Sequence, residues 1–369
     1  MIHRSLKITG CLVLLTLLTL LRPAGAQLPD PFALIPADTS VVFRIDMQAV
    51  EQNPRLAPIL EAFRQQEPGF PESMLFSPDS VGGDSLAFLG KDFPGDIKIL
   101  EGGLLIPENN AAPGKPEGYS VLYGQMDGNA LFERFQAAGW TQQSAAGGQM
   151  VMKDPGGKMF MTMPNEWTML LAPSQALMDK QMATAAGTTP SVVSKPGPLA
   201  NFIKGTPGSL VFAAVEIPEA QRAMLAEVAA EPDPSMAMFP GVPQLMQELP
   251  KLQGVGAVLR DVDGMKLQLA MTFPDAETSG RAVAALNLAW PAALSMVRMM
   301  AVQQDPSQAA KFDQLMTIKF AANGANAAVA IPITDEDLAQ VVQAIQQMQA
   351  GGAPGMMGGP TGAPPAPQP

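Results

Sequence analysis

The chain has 369 residues, with 34 acidic and 23 basic side chains for a formal net charge of −11, and it contains one histidine and one cysteine. That balance, with no Lys/Arg run to offset it, argues against nucleic acid and against anionic membrane surfaces, because both select basic patches. A chain of this length buries a sizeable core, and a core of this size usually divides.

The first element is a leader. His3, Arg4 and Lys7 form a basic start, Cys11 to Leu21 an apolar run, and Ala24-Gly25-Ala26 a small-residue cleavage site before Gln27, which together predict a secretory signal over 1–26. The run is about half the ~20 residues a spanning helix needs. Export with cleavage is therefore expected, without stable membrane insertion afterwards, to a periplasmic or extracellular location in a bacterium. Ile8-Thr9-Gly10-Cys11 has the look of a lipobox, but its cysteine opens the apolar run instead of following it.

Cleavage removes both His3 and Cys11, together with Arg4, Lys7 and Arg22, leaving 20 basic against 34 acidic side chains, a formal charge of −14. Without imidazole or thiol the mature chain lacks the commonest general base and metal ligand and the best side-chain nucleophile. Without disulfides it must be held by burial of apolar surface.

A weak internal repeat then organises the chain. In the first repeat, 27–186, Val41 to Asp46 reads as a strand and Pro54 to Phe63 as a helix by the spacing of Leu56, Ile59, Leu60 and Phe63. Ile97 to Ile106 and Tyr119 to Met126 follow as strands across a Pro/Gly-rich loop. Asp127 opens a helix reaching Trp140, Val151 to Met163 and Trp167 to Leu171 read as strands, and Ser174 caps a helix.

The second repeat, 206–348, keeps the order. Leu210 to Glu216 is a strand and Glu219 to Ala230 a helix, and Val255 to Leu259 with Met265 to Phe273 form a hairpin over Asp263-Gly264. Asp275 caps a helix through Trp290 to about Gln303. Met316 to Phe320 and Ala327 to Ile333 flank an Asn323-Gly324 turn, and Thr334 caps a last helix, with Asp337 completing a capping box. The capping aspartates lie 148 residues apart and the tryptophans 150. The expected fold is α+β: two similar halves, each an antiparallel sheet with helices packed on one face. The stretch 187–205 reads as a linker, and 349–369, built of Gly, Pro, Ala and Met, as a disordered tail.

The segment Ile35-Pro36-Ala37-Asp38-Thr39-Ser40-Val41-Val42-Phe43-Arg44-Ile45-Asp46, the helix after it and the duplicated layout from Leu34 to Met348 resemble uncharacterised secreted bacterial proteins of the planctomycete type, a domain of unknown function. The resemblance implies export and carries no catalytic assignment.

Methionine is the strongest compositional signal, with 25 in the chain and a cluster at Met150, Met152, Met159, Met161 and Met163. A hairpin over Asp154-Pro155-Gly156-Gly157 would pair Lys153 with Lys158, Met152 with Met159 and Met150 with Met161, placing all five on one face and Lys153, Lys158 and Thr162 on the other. Thioether sulfur is a soft-metal ligand for Cu(I), and a Met-rich face with Met296, Met299 and Met300 suits an apolar ligand. Packing beneath helices accounts for the same pattern and is the expected outcome.

Carboxylates are the remaining acid/base machinery. Asp46 and Glu216 end equivalent strands, and Asp261 and Asp263 sit two apart, but Asp263 belongs to a turn, Asp127 and Asp275 cap helices, and Asp335 to Asp337 suit a helix start. The loop Asp79 to Asp84 and the Asp261/Asp263 pair fall short of the oxygen count of a Ca²⁺ loop. Gly82-Gly83 with Gly90-Lys91 misses the P-loop spacing, Gly254-Val255-Gly256 lacks a third glycine, and no serine has lysine three residues on. No catalytic, cofactor or metal residue is assigned. The expected function is an exported, non-catalytic binding or interaction module of the envelope or extracytoplasmic space with a protein or envelope partner. A carrier of an apolar ligand or soft metal is the alternative, and a carboxylate-only hydrolase the third reading.

Overall fold

The structure is a computed structural model that describes residues 30–66, 95–106, 117–144, 149–205, 208–230, 239–304 and 309–350. The expected leader, the Asp79 to Asp84 loop, Gly90-Lys91 and the tail from 351 lie outside them. In chain order the elements are β1 Val41–Asp46, α1 Met47–Gln52, α2 Ala57–Gln66, β2 Gly95–Leu105, β3 Glu117–Met126, α3 Gly128–Ala137, β4 Thr141–Ser144, β5 Met150–Lys153, β6 Phe160–Asn165, β7 Thr168–Ala172, α4 Gln175–Ala185 and α5 Pro198–Lys204. The second repeat gives β8 Val211–Glu216, α6 Glu219–Ala230, α7 Val242–Glu248, β9 Gly254–Asp261, β10 Met265–Thr272, α8 Ala276–Gln304, α9 Ala309–Met316, β11 Ala321–Asn323, β12 Asn326–Pro332 and α10 Asp335–Ala350.

Among the described residues, twelve strands join one antiparallel sheet in the order β11-β12-β10-β9-β8-β1-β2-β3-β7-β6-β5-β4, so the fold is α+β. The repeats meet at β1 and β8, whose register pairs Phe43 with Ala213. These are equivalent positions of the two repeats, and a local two-fold axis therefore passes through that pair, perpendicular to the sheet. Such an axis carries each face of the sheet onto itself.

The two faces carry different layers. Face A holds Ile99, Tyr119, Val121, Tyr123, Leu170 and Phe212, covered by Met178 and Met182 of α4, Leu199, Phe202 and Ile203 of α5, and Phe32 and Ile35. Face B holds Leu100, Leu122 and Leu171 under Leu131 and Phe135 of α3. Next to them lie Leu210 and Met265 with Leu56 and with Leu338 of α10, and Phe273 and Ala327 with Ala282 of α8. Each large apolar side chain buried in these layers contributes roughly 1.5–3 kcal/mol.

In the first repeat α3 lies on face B and α4 on face A, and in the second α8 and α10 lie on face B while α5, from the stretch 187–205, packs on β8 and β9 on face A, so neither half keeps its helices to one face. The stretch expected as a linker, 187–205, holds α5 and the buried Val192, and Pro36 bridges to Ser191. Its apolar residues Leu199, Phe202 and Ile203 have helical spacing, which the surrounding Pro, Ser and Gly obscure in the sequence. Of the residues expected as a strand from Met316 to Phe320, Met316 ends α9 and 317–320 form a turn and an irregular connection, and the edge strand starts at Ala321.

The capping residues act as expected. Asp127 Oδ1 accepts from Ala130 N at 3.0 Å and Asp275 Oδ1 from Thr278 N at 2.7 Å. Ser174 Oγ accepts from Leu177 N at 3.3 Å. Thr334 and Asp337 form the full box, Asp337 Oδ2 accepting from Thr334 N at 2.9 Å while Thr334 Oγ1 accepts from Asp337 N at 3.2 Å.

Candidate functional site

The methionine hairpin pairs Met152 with Met161 and Lys153 with Phe160, two residues out of the expected register. A shift of two preserves the face, because side chains alternate with period two. Met152, Met159 and Met161 are buried with Met126 and Met169 against Leu131, Phe135 and Trp140, and Met163 packs at the edge of the same cluster. Met150 is 39% exposed at the strand end. The sulfur-bearing side chains fill irregular space under α3, as thioethers do in cores. Met296 and Met299 are exposed on α8 with Leu288 and Val297, apart from that cluster. The segment Ala276–Met299 of this helix is long and apolar enough to cross a membrane by length and composition.

The local two-fold separates the carboxylates. Asp46 N bonds to Leu210 O at one end of the β1/β8 ladder and Glu216 N to Ser40 O at the other, six strand residues or roughly 20 Å apart. Asp46 Oδ1 accepts from Ala49 N at 2.8 Å and caps α1. Asp263 sits in the β9/β10 turn at φ 54°, and Asp261 accepts from Asn53 Nδ2 at 2.9 Å and faces Arg55, which makes it a partner for side-chain donors already in place. Among the described residues, no group of three or more His, Cys, Asp or Glu side chains is placed to hold a metal ion.

Sequence reasoning missed Glu101. Its side chain is fully buried on face A, where Oε1 accepts from Arg44 at 2.5 Å and Oε2 from Phe32 N at 2.9 Å and from the Tyr123 hydroxyl at 3.2 Å. Burial pushes its carboxyl above the usual range, against the lowering by Arg44 and the donated hydrogen bonds. The same burial, with the carboxylate beside it, raises the Tyr123 phenol. Phe32 is held at φ 60° with its ring edge-on to Phe212, centroids 5.6 Å apart. The cluster is a clamp: it ties the segment before β1 across the joint of the repeats, and its acceptor oxygens are occupied by protein donors. The one cue in sequence is an acid inside an apolar strand, and its partners lie 22 to 69 residues away.

Among the described residues, a binding geometry lies where α10 packs beside α2. A groove of about 520 Å³ is floored by Pro54, Pro58, Leu338, Ala339 and Val342, with Arg55, Asp335 and Gln343 at its rim. That volume falls in the range of small-molecule sites, and an apolar floor with a few polar groups is their usual lining. A second recess of about 350 Å³ beside α4 is lined by Gln149, Pro164, Asp179 and Met182 among others. None of the groove residues except Asp335 stood out in the sequence, because the groove joins segments about 280 residues apart.

No family model matches the chain. No curated protein matches it. Among solved structures, crystal form III of TP0453 is 12% identical, covering 85% of this chain and 98% of that one with a TM-score of 0.42. Crystal form I of TP0453 is 10% identical, covering 86% and 97% with a TM-score of 0.41.

Proposed function

We propose that the chain is an exported binding module that holds a small apolar ligand in the groove between α2 and α10 and performs no chemistry on it. The observation that carries the reading is the groove itself, an open apolar floor assembled from both repeats. Export is supported by the basic, apolar and small-residue pattern before Gln27. The absence of imidazole and thiol from the chain after Gln27 supports binding over catalysis. The methionine face is packed as core, as its pattern led one to expect, and so leaves the groove as the apolar surface open to a ligand.

The test is native mass spectrometry of the protein isolated gently from the extracytoplasmic fraction of its own cell, beside an Ala339→Trp variant that fills the groove. An added mass of a few hundred daltons, present in the wild type and lost in the variant, is the expected result. An added mass kept by the variant, or one of protein size, overturns the groove as the binding site.

A further inference from the structure

On the reading that the groove between α2 and α10 is a binding site, we infer that its ligand class is an apolar molecule carrying a single ammonium group. The floor supplies no hydrogen-bonding side chain, since Pro54, Pro58, Leu338, Ala339 and Val342 line it. Selectivity must therefore come from the rim. There the Arg55 guanidinium stands between two carboxylates, 3.5 Å from Asp335 Oδ1 and 3.5 Å from Asp261 Oδ1. Two acids against one base leave this end of the groove one negative charge in excess, in a chain that is acidic throughout.

The distances decide how that charge is available. Charge-assisted hydrogen bonds run about 2.7–2.9 Å, so Arg55 saturates neither acid. Asp261 also has the Asn53 amide at 2.9 Å, and Asp337, in the first turn of α10, is engaged in the Thr334 cap. Asp335 differs from both: its side chain is 80% exposed, it lines the groove, and its ion pair is the long one to Arg55. A ligand ammonium reaching the rim takes Asp335 without displacing a short bond. A ligand carboxylate placed there meets Asp335 and Asp261 on either side of the one guanidinium, and the like-charge repulsion opposes it.

Decylammonium, decanol and decanoate share one tail and differ in head charge, so their binding at neutral pH and low salt, below micelle formation, separates the possibilities. Amide shifts along α10 locate each ligand, and titration gives each affinity. Decylammonium is expected to bind about fivefold tighter than decanol, the scale of an exposed ion pair, with decanoate weakest. Asp335→Asn, at an exposed position, should erase the ammonium preference while keeping decanol binding. Equal binding of all three, or preference for decanoate, overturns the ammonium class and leaves the groove standing. Binding that shifts no α10 amide, or no binding at all, overturns the groove reading itself.

Discussion

The closing helix of each repeat follows its last strand by the same two-residue, capped connection, Pro173-Ser174 before α4 and Ile333-Thr334 before α10. The two-fold maps face A onto itself, so both helices could lie there. Only α4 does. The reason is legible in one row of side chains across the sheet. In the first repeat the row runs Arg44, Glu101, Val121, Leu170; at the equivalent positions of the second it runs Ala214, Gly256, Ala270, Ala328. Tyr119, Val121 and Leu170 give Met178 and Met182 a deep surface to bury against. In the second repeat the Phe202 ring of α5 already occupies face A at Gly254 and Gly256, and the alanines beyond it offer Leu338, Val342 and Ile345 little, with Ala330 left exposed. On face B, Leu56, Leu210 and Met265 receive Leu338 instead. Side-chain size, with burial proportional to apolar area, sends α10 beside α2 and opens the groove.

The largest effect should come from the row that the second repeat lacks. Glu101→Leu strands the partly buried Arg44 and the Phe32 N–H, and removing one partner of a buried pair costs about 3–5 kcal/mol. Denaturant unfolding of the purified protein checks it. A loss under about 1 kcal/mol would mean that the clamp contributes nothing beyond packing.

Next come the two helices themselves. Met178→Ala empties a fully buried site and should cost about 3 kcal/mol, while Leu338→Ala, at a groove edge that can relax, should cost about 2 kcal/mol. If Leu338→Ala proved the more damaging, α10 would be core and the groove a surface wrinkle.

Much of this comparison could be read from the sequence, and its decisive part could not. Strand and cap positions are local, so alternation at Val41 to Asp46 and the Thr334/Asp337 box were visible in sequence. Parity survives a register error, so the shared face of the methionines held although their pairing moved by two. The fate of Asp46 and Glu216 depended on the two-fold, which turns equivalent residues to opposite ends of an antiparallel ladder. The choice of face by α10 depended on which small residues in four separate strands share a row. Glu101 depended on a partner 57 residues away. Each of these is set by tertiary pairing, which no local pattern encodes.

A smaller contrast lies in pH dependence. Glu101 is raised from its ordinary value by burial, whereas Glu248 is lowered, chiefly by the hydrogen bonds from Arg281 and with help from Lys251. For Glu101 the folded state takes up its proton before the unfolded chain does, so its contribution to stability rises as pH falls through the raised value and levels off below 4.5. For Glu248 the sign is opposite: stability present above 4.5 is lost as pH falls through the lowered value. Each is bounded by about 1.4 kcal/mol per pH unit. Against the wild-type pH–stability curve, Glu101→Gln should remove a gain on acidification and Glu248→Gln should remove a loss. Matching curves for the two variants would show that the carboxylates titrate alike and that the buried row carries no electrostatic penalty.

The smallest effect separates the two connections. Losing an N-cap hydroxyl typically costs about 1 kcal/mol, so Ser174→Ala and Thr334→Ala should lower global stability by similar small amounts. Their local consequences should differ. The α4 helix is pinned along its length by Met178 and Met182, and its first turn closes with the body whether or not the 3.3 Å cap bond exists. The α10 helix begins at the groove with Asp335 and Glu336 exposed, and Thr334 and Asp337 cap its first turn reciprocally. Thr334→Ala should therefore speed hydrogen exchange in the first turn of α10 well beyond the change in global stability, and loosen the rim at Asp335. Ser174→Ala should change α4 exchange only as much as it changes the whole protein. Equal local exchange in the two variants would show that α10 is held by its packing against α2 alone, and that the groove keeps its shape without the cap.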